Sequence, residues 1–152
     1  MSANLPAQGR PFDRLMRTAS GYAISRCLHV VADLGVADVL EETPRTAAEL
    51  AAATGVDAGA LGRVLRLLST YEIFEKRDDR YVHTSASLLL RADHPQSLRA
   101  FVQMSVLPIN WRSYEELHYS VRTGLPAIGE VTPGGPWKYF ASAGKRRARH
   151  RG

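Results

Sequence analysis

The chain has 152 residues, 45% of them apolar and 23% charged, with a single cysteine and a formal net charge of +5. That is about one domain's worth of polypeptide. It leaves no pair for an internal disulfide and holds no run of 18 apolar residues that would mark a membrane helix. The opening MSANLPAQGRPF lacks the apolar centre of a secretion signal, so a cytoplasmic location is expected. The sequence pI is about 9.7, but the excess charge is local. Lys145, Arg146, Arg147, Arg149 and Arg151 crowd into GKRRARHRG, and the rest of the chain carries 15 basic and 15 acidic residues. Residues 144–152 therefore read as a basic, disordered tail on a neutral body.

Residues 1–11 read as a flexible lead-in, and 12–143 as the folded domain. The pattern turns helical near Phe12. Ile24, Cys27, Leu28 and Val31 fall at i, i+3, i+4 and i+7, one apolar face, on which Cys27 reads as a small buried thiol. Phe12, Leu15 and Met16 precede it and are too apolar for a free end. They need a partner surface, either the chain's own core or a second subunit.

The next stretch is the most informative. Thr46 and Glu49 have the spacing of a capping box, and Gly55 suits the left-handed end of the helix that follows. Asp57 can cap a second helix, with Leu61, Val64, Leu65 and Leu68 as its buried stripe. Ile73–Glu75 and Arg80–Val82 are predicted strands around an Asp78-Asp79 turn. Helix, turn, helix and hairpin make a winged-helix-like layout.

Ser85 to Leu90 is a predicted short helix. Asp93 and Gln96 repeat the capping spacing with Pro95 in the first turn, leading to a face of Leu98, Phe101, Val102 and Val106. Pro108 interrupts it. A further helix is expected from Ile109 or Asn110, with Trp111, Tyr114, His118 and Val121 on one face and Gly124 and Pro126 at its end. Residues 129–136 read as a Gly/Pro loop, and Trp137 to Phe140 as a last amphipathic turn. The fold class expected is mainly α: a winged-helix-like helical domain with a small β-hairpin wing and additional C-terminal helices.

Catalytic machinery is not legible. His29, His83, His94, His118 and His150 are scattered, no Cys/His group has zinc spacing, and no G-x-G-x-x-G loop occurs. Glu115 and His118 share a helix face, but such a pair reads first as a surface hydrogen bond. No catalytic, cofactor-binding or metal residue is assigned. A winged helix also raises DNA binding. The second helix, however, offers outward only Arg63 and Arg66, and residues 75–80 carry three charges of each sign, a weak basis for counterion release. A DNA-binding transcription regulator, with the tail as an auxiliary phosphate contact, stands as the alternative.

The order of several blocks adds a resemblance. GYAISRCLHVVADLGVADVLEE, TAAELAAATGVDAGALGRVLRLLSTYEIFE, RYVHTSASLLLRADHP, WRSYEELHYSVRTGLPA and GGPWKYFA together resemble the N-terminal dimerisation domain of S-adenosylmethionine-dependent O-methyltransferases, the family of caffeic-acid-type plant enzymes and bacterial polyketide- or anthracycline-type enzymes. The resemblance implies a dimerisation and acceptor-substrate-capping domain. Phe12, Met16, Tyr22, Ile24 and Leu28 would supply the dimer interface, and Phe101, Met104, Leu107 and Trp111 the walls of an acceptor pocket. It implies a homodimer, or a heterodimer with a methyltransferase catalytic subunit, and an aromatic small-molecule acceptor, with no specific nucleic acid and no membrane as partner. The family's members continue into a domain that binds S-adenosylmethionine and holds the catalytic histidine. Here the chain passes into GKRRARHRG, which reads as a truncation, a shifted frame or a separately encoded half. The chain alone is therefore expected to hold no cofactor and to be inactive.

Overall fold

A computed structural model describes residues 10–132, 134–135 and 137–139. These residues divide into two compact units, one up to Gln103 and one from Met104.

The first unit begins with α1 (Pro11–Ala19) and α2 (Gly21–Asp33). The helical pattern breaks at Ser20, whose backbone leaves the helical region (φ −93°, ψ 2°) and whose hydroxyl donates back to the Met16 carbonyl at 2.6 Å. Gly35, at φ +67°, turns the chain from α2 into α3 (Val36–Leu40). That left-handed conformation is cheap only for glycine. Strand β1 (Arg45–Thr46) then runs straight into α4 (Ala47–Thr54). Both halves of the capping box form: Glu49 N donates to Thr46 Oγ1 at 3.2 Å, and Thr46 N donates to Glu49 Oε2 at 2.6 Å. Gly55 ends α4 at φ +71°. Helix α5 (Ala58–Ser69) is capped by Asp57, which accepts from Ala60 N at 2.7 Å.

Strands β2 (Phe74–Arg77) and β3 (Arg80–His83) form the wing, with Asp78 at φ +54° in its turn. The two strands of the sequence reading become three, because β1 pairs antiparallel with β3 to give the order β1-β3-β2. A two-residue strand is too short to show period-2 alternation. Helix α6 (Ser85–Leu88) is capped by Thr84, whose Oγ1 also donates to the Ile73 carbonyl.

Helices α3, α4 and α5 close on this sheet through Val36, Leu40, Leu50, Leu61, Leu65, Leu68, Phe74 and Tyr81, all nearly fully buried. Each fully buried leucine contributes roughly 1.5–3 kcal/mol. Gly62 permits the close approach of α4 and α5: a Cβ there would sit 3.4 Å from that of Ala47.

The helix expected to start at Asp93 begins instead at Arg99, as α7 (Arg99–Ser105). Asp93 is engaged by the Arg91 guanidinium at 2.7 and 2.9 Å, so residues 92–98 turn rather than wind. Of the face foreseen there, Val102 packs on the core while Leu98 and Phe101 are exposed.

In the second unit Pro108 opens α8 (Pro108–Glu115) at its first position, where a missing N–H costs nothing. The single helix expected from there to Gly124 is two, because the backbone at Glu116 (φ −90°, ψ 17°) separates α8 from α9 (Leu117–Thr123). Gly124 ends α9 at φ +73°. The Gly/Pro loop contains one helical turn, α10 (Ile128–Val131). Ala127 N donates to Ser120 Oγ and Thr132 Oγ1 to the Ile128 carbonyl, which holds the turn from both ends. Val106, Ile109, Ala127 and Thr132 are the buried side chains. Trp137–Tyr139 is helical. Phe140, the basic tail and residues 1–9 lie outside the described residues.

Candidate dimerisation surface

Helix α1 is nine residues long and buries none of them. Phe12, Leu15, Met16 and Ala19 fall at i, i+3, i+4 and i+7, while Asp13, Arg14, Arg17 and Thr18 occupy the other side. Phe12 and Leu15 are each 71% exposed and Met16 54%. A helix of this length is marginal in water unless its apolar face packs. Tyr22, 63% exposed, continues the patch onto α2.

The other two residues assigned to the interface stand differently. Ile24 and Leu28 are half-buried against the core, so only their outer sides remain open. Leu15 belongs with Phe12 and Met16, and its i+3 spacing from Phe12 was the signal for it. Cys27 is half-buried beside Ile24 and Leu28, and burial pushes its thiol above the ordinary range. Such a thiol is a packing group rather than a nucleophile.

The four residues assigned to an acceptor pocket fall on both units. Phe101, on α7 in the first, is 62% exposed. Met104, at the end of α7, is 54% exposed, and its carbonyl accepts from Leu107 N and Asn110 Nδ2. Leu107 caps α8 and Trp111 lies one turn into it, both half-buried. Two open grooves in the first unit include none of the four. One, about 780 Å³, runs between the end of α5, β2 and Thr84–Ala86. The other, about 560 Å³, lies beside Glu41, His83 and His94.

A clamp that the sequence did not suggest fixes the base of α7. Arg99 pairs with Asp38, donates through Nε to the Ala32 carbonyl at 2.8 Å, and so ties α7 to the end of α2. Asp38 also accepts from Ala92 N at 2.8 Å. The partners are 54 and 61 residues apart, and a separation of that size leaves no local pattern.

Three of the six charges in the wing, Glu75, Arg77 and Arg80, are engaged within the chain. Arg77 pairs with Glu75, and Arg80 reaches Glu49 at 3.2 Å and the Pro44 carbonyl at 3.0 Å. Glu75 and Glu49 are held below the ordinary carboxylate range, Glu75 by the Arg77 hydrogen bonds and Glu49 first by the Thr46 backbone N–H. Nothing among the described residues favours a phosphate-binding wing.

Each strand meets its successor without a glycine-rich turn: β1 enters α4 directly, β2 turns through Asp78-Asp79, and β3 reaches α6 through Thr84. Among the described residues no His, Cys, Asp or Glu group could hold a metal ion, and no helix is long and apolar enough to cross a membrane.

Together these features define a winged-helix-like helical module with an unpartnered apolar helix face. Residues 16–93 match the O-methyltransferase dimerisation domain, and the chain belongs to that family. It is 39% identical over 102 residues to a mitomycin biosynthesis 6-O-methyltransferase of Streptomyces lavendulae, covering 66% of this chain and 29% of that protein. With a phenazine-1-carboxylate N-methyltransferase of Pseudomonas aeruginosa it shares 41% identity over 121 residues, covering 79% and 34%. Among solved structures, LaPhzM superimposes with a TM-score of 0.82 at 29% identity, over 90% of this chain and 41% of that one. CalO1, a methyltransferase in calicheamicin biosynthesis solved with SAH bound, gives 0.79 at 34% identity, over 95% and 44%. The chain thus spans about a third of the length of its curated relatives, at their N-terminal end.

Proposed function

We propose that this chain pairs two methyltransferase subunits through α1 and the start of α2 and helps cover an aromatic acceptor, without transferring a methyl group by itself. The observation that carries this reading is α1: a helix with no buried residue and three large apolar side chains open to solvent, leading into the segment that matches a dimerisation family. A homodimer is the assembly proposed, in the cytoplasm. Met104, Leu107 and Trp111 on the second unit, and Phe101 on the first, are the residues proposed to face the acceptor. The donor, S-adenosylmethionine, belongs to the catalytic portion that the relatives carry beyond the region matched here.

In the assembled enzyme a nucleophilic acceptor atom attacks the donor methyl, and enclosure holds the two in line. The relatives' names include both an O- and an N-methyltransferase, and the rings named among them include phenazine and naphthoate. That spread supports an aromatic acceptor and leaves the choice of acceptor atom to the catalytic portion.

Sedimentation velocity tests the reading. The unaltered chain is expected to run as a dimer and the Phe12→Asp/Met16→Asp variant as a folded monomer. A monomeric parent chain overturns the assembly. Turnover of labelled methyl donor by the purified 152-residue protein overturns the proposed inactivity.

A further inference from the structure

Helix α7 has no fully buried side chain, so apolar packing does little to fix its rotation about its own axis. Polar contacts with the C-terminal end of α2 do so instead. Arg99 holds the Ala32 carbonyl and Asp38. Gln103, one turn later, makes a looser second contact, with Nε2 3.5 Å from the same carbonyl and 3.3 Å from Asp33 Oδ1. Carbonyls in the last turn of a helix lack intrahelical partners, and a cation is favoured beside them. The last turn of α2 has no basic residue of its own, and Arg99 supplies that charge from α7. Arg99 and Asp38 are both partly shielded from solvent, so their link is screened less than an exposed ion pair.

The anchor decides where Phe101 faces. On an α-helix, residue 101 lies roughly 160° around the axis from both 99 and 103. Val102 turns onto the core while Phe101 stays exposed. With Arg99 and Gln103 tied to α2, the Phe101 ring is held on the side away from it. We propose that Arg99, held by Asp38, is a positioning residue that aims Phe101 at the aromatic acceptor. This rests on the acceptor-facing role proposed above for Phe101 and adds the pair that sets its direction. Neither Arg99 nor Asp38 touches the acceptor in this account; both act through the ring.

The test is a double-mutant cycle in the 152-residue chain, with 1-naphthoate as the probe and equilibrium dialysis as the measurement. Phe101→Ala and Arg99→Met are each expected to weaken binding about tenfold. The double variant should bind no more weakly than Phe101→Ala alone, because Arg99 then has no ring to aim. A purely structural role would lower the folded fraction whatever stands at 101, and the two losses would multiply to about a hundredfold. That outcome overturns the proposal, as does an Arg99→Met variant that binds like the parent. Circular dichroism checks folding; should Arg99→Met fail to fold, Asp38→Asn and Arg99→Lys carry the same cycle. No binding by the parent chain overturns the acceptor reading itself, and the proposal with it.

Discussion

Gly35 and Arg99 show how one turn depends on a distant side chain. A Cβ on Gly35 would stand 3.1 Å from an Arg99 guanidinium nitrogen and 3.3 Å from an Asp38 carboxylate oxygen, at a φ of +67°. Gly35→Ala is therefore expected to cost roughly 1–3 kcal/mol, from the strained backbone and the displaced clamp together. Arg99→Met should cost about 1–2 kcal/mol, because it leaves Asp38 and the Ala32 carbonyl half-satisfied in a partly buried place. Arg99→Lys should recover little of that, since an ammonium cannot reproduce the two-sided guanidinium geometry. Denaturant titration followed by circular dichroism measures all three.

His83 gives the pH dependence a sign. Its Nδ1 lies 2.9 Å from Ser87 Oγ, and its Nε2 is buried without a hydrogen-bond partner. Burial, then the Arg91 charge, lowers its pKa, against smaller raising effects from the Ala37 backbone and Asp38. His29 is lowered as well, first by burial. The unfolded chain thus takes up protons near the ordinary histidine value, about 6.5, that the native chain resists. Stability is full above that value and falls as pH drops through it toward the lower native values. Thermal unfolding between pH 7.5 and 5.5 should show the decline, and His83→Gln should flatten it.

At the scale of elements, short helices survive here through caps and packing rather than length. Helix α4 has eight residues, and its start is closed by Thr46 and Glu49, with Arg80 bonded to the same Glu49 oxygen. Thr46→Ala is expected to cost about 1 kcal/mol, visible as a lower midpoint in urea. Leu65→Ala, at a fully buried position in α5, should cost roughly 2–5 kcal/mol by leaving a cavity. The capped elements were legible residue by residue: Thr46, Glu49, Gly55, Asp57 and Gly124 each do locally what their type predicts, while Pro108, read as an interruption, is the first residue of α8. Misreadings occurred where a local signal met a stronger partner. Asp93 has capping spacing but is held by Arg91, and the stripe from Trp111 to Val121 reads as one helix although the backbone bends at Glu116.

For the whole molecule, an apolar association predicts a particular salt response. Raising sodium chloride from about 0.1 to 1 M shortens the screening length about threefold and should leave the dimer's sedimentation unchanged. Association driven by the basic tail would weaken over the same range. The sequence alone determined the class, because capping residues, helical periodicity and the order of blocks are local information carried along the chain. It also pointed to Phe12 and Met16 as surface in need of a partner. Only the tertiary structure decided that Ile24 and Leu28 are half-buried against the core, that a two-residue strand completes the sheet, and that Arg99 and Asp38 lock α7 to α3. Each of those outcomes depends on which distant residues meet when the core closes, and no spacing along the chain encodes that meeting.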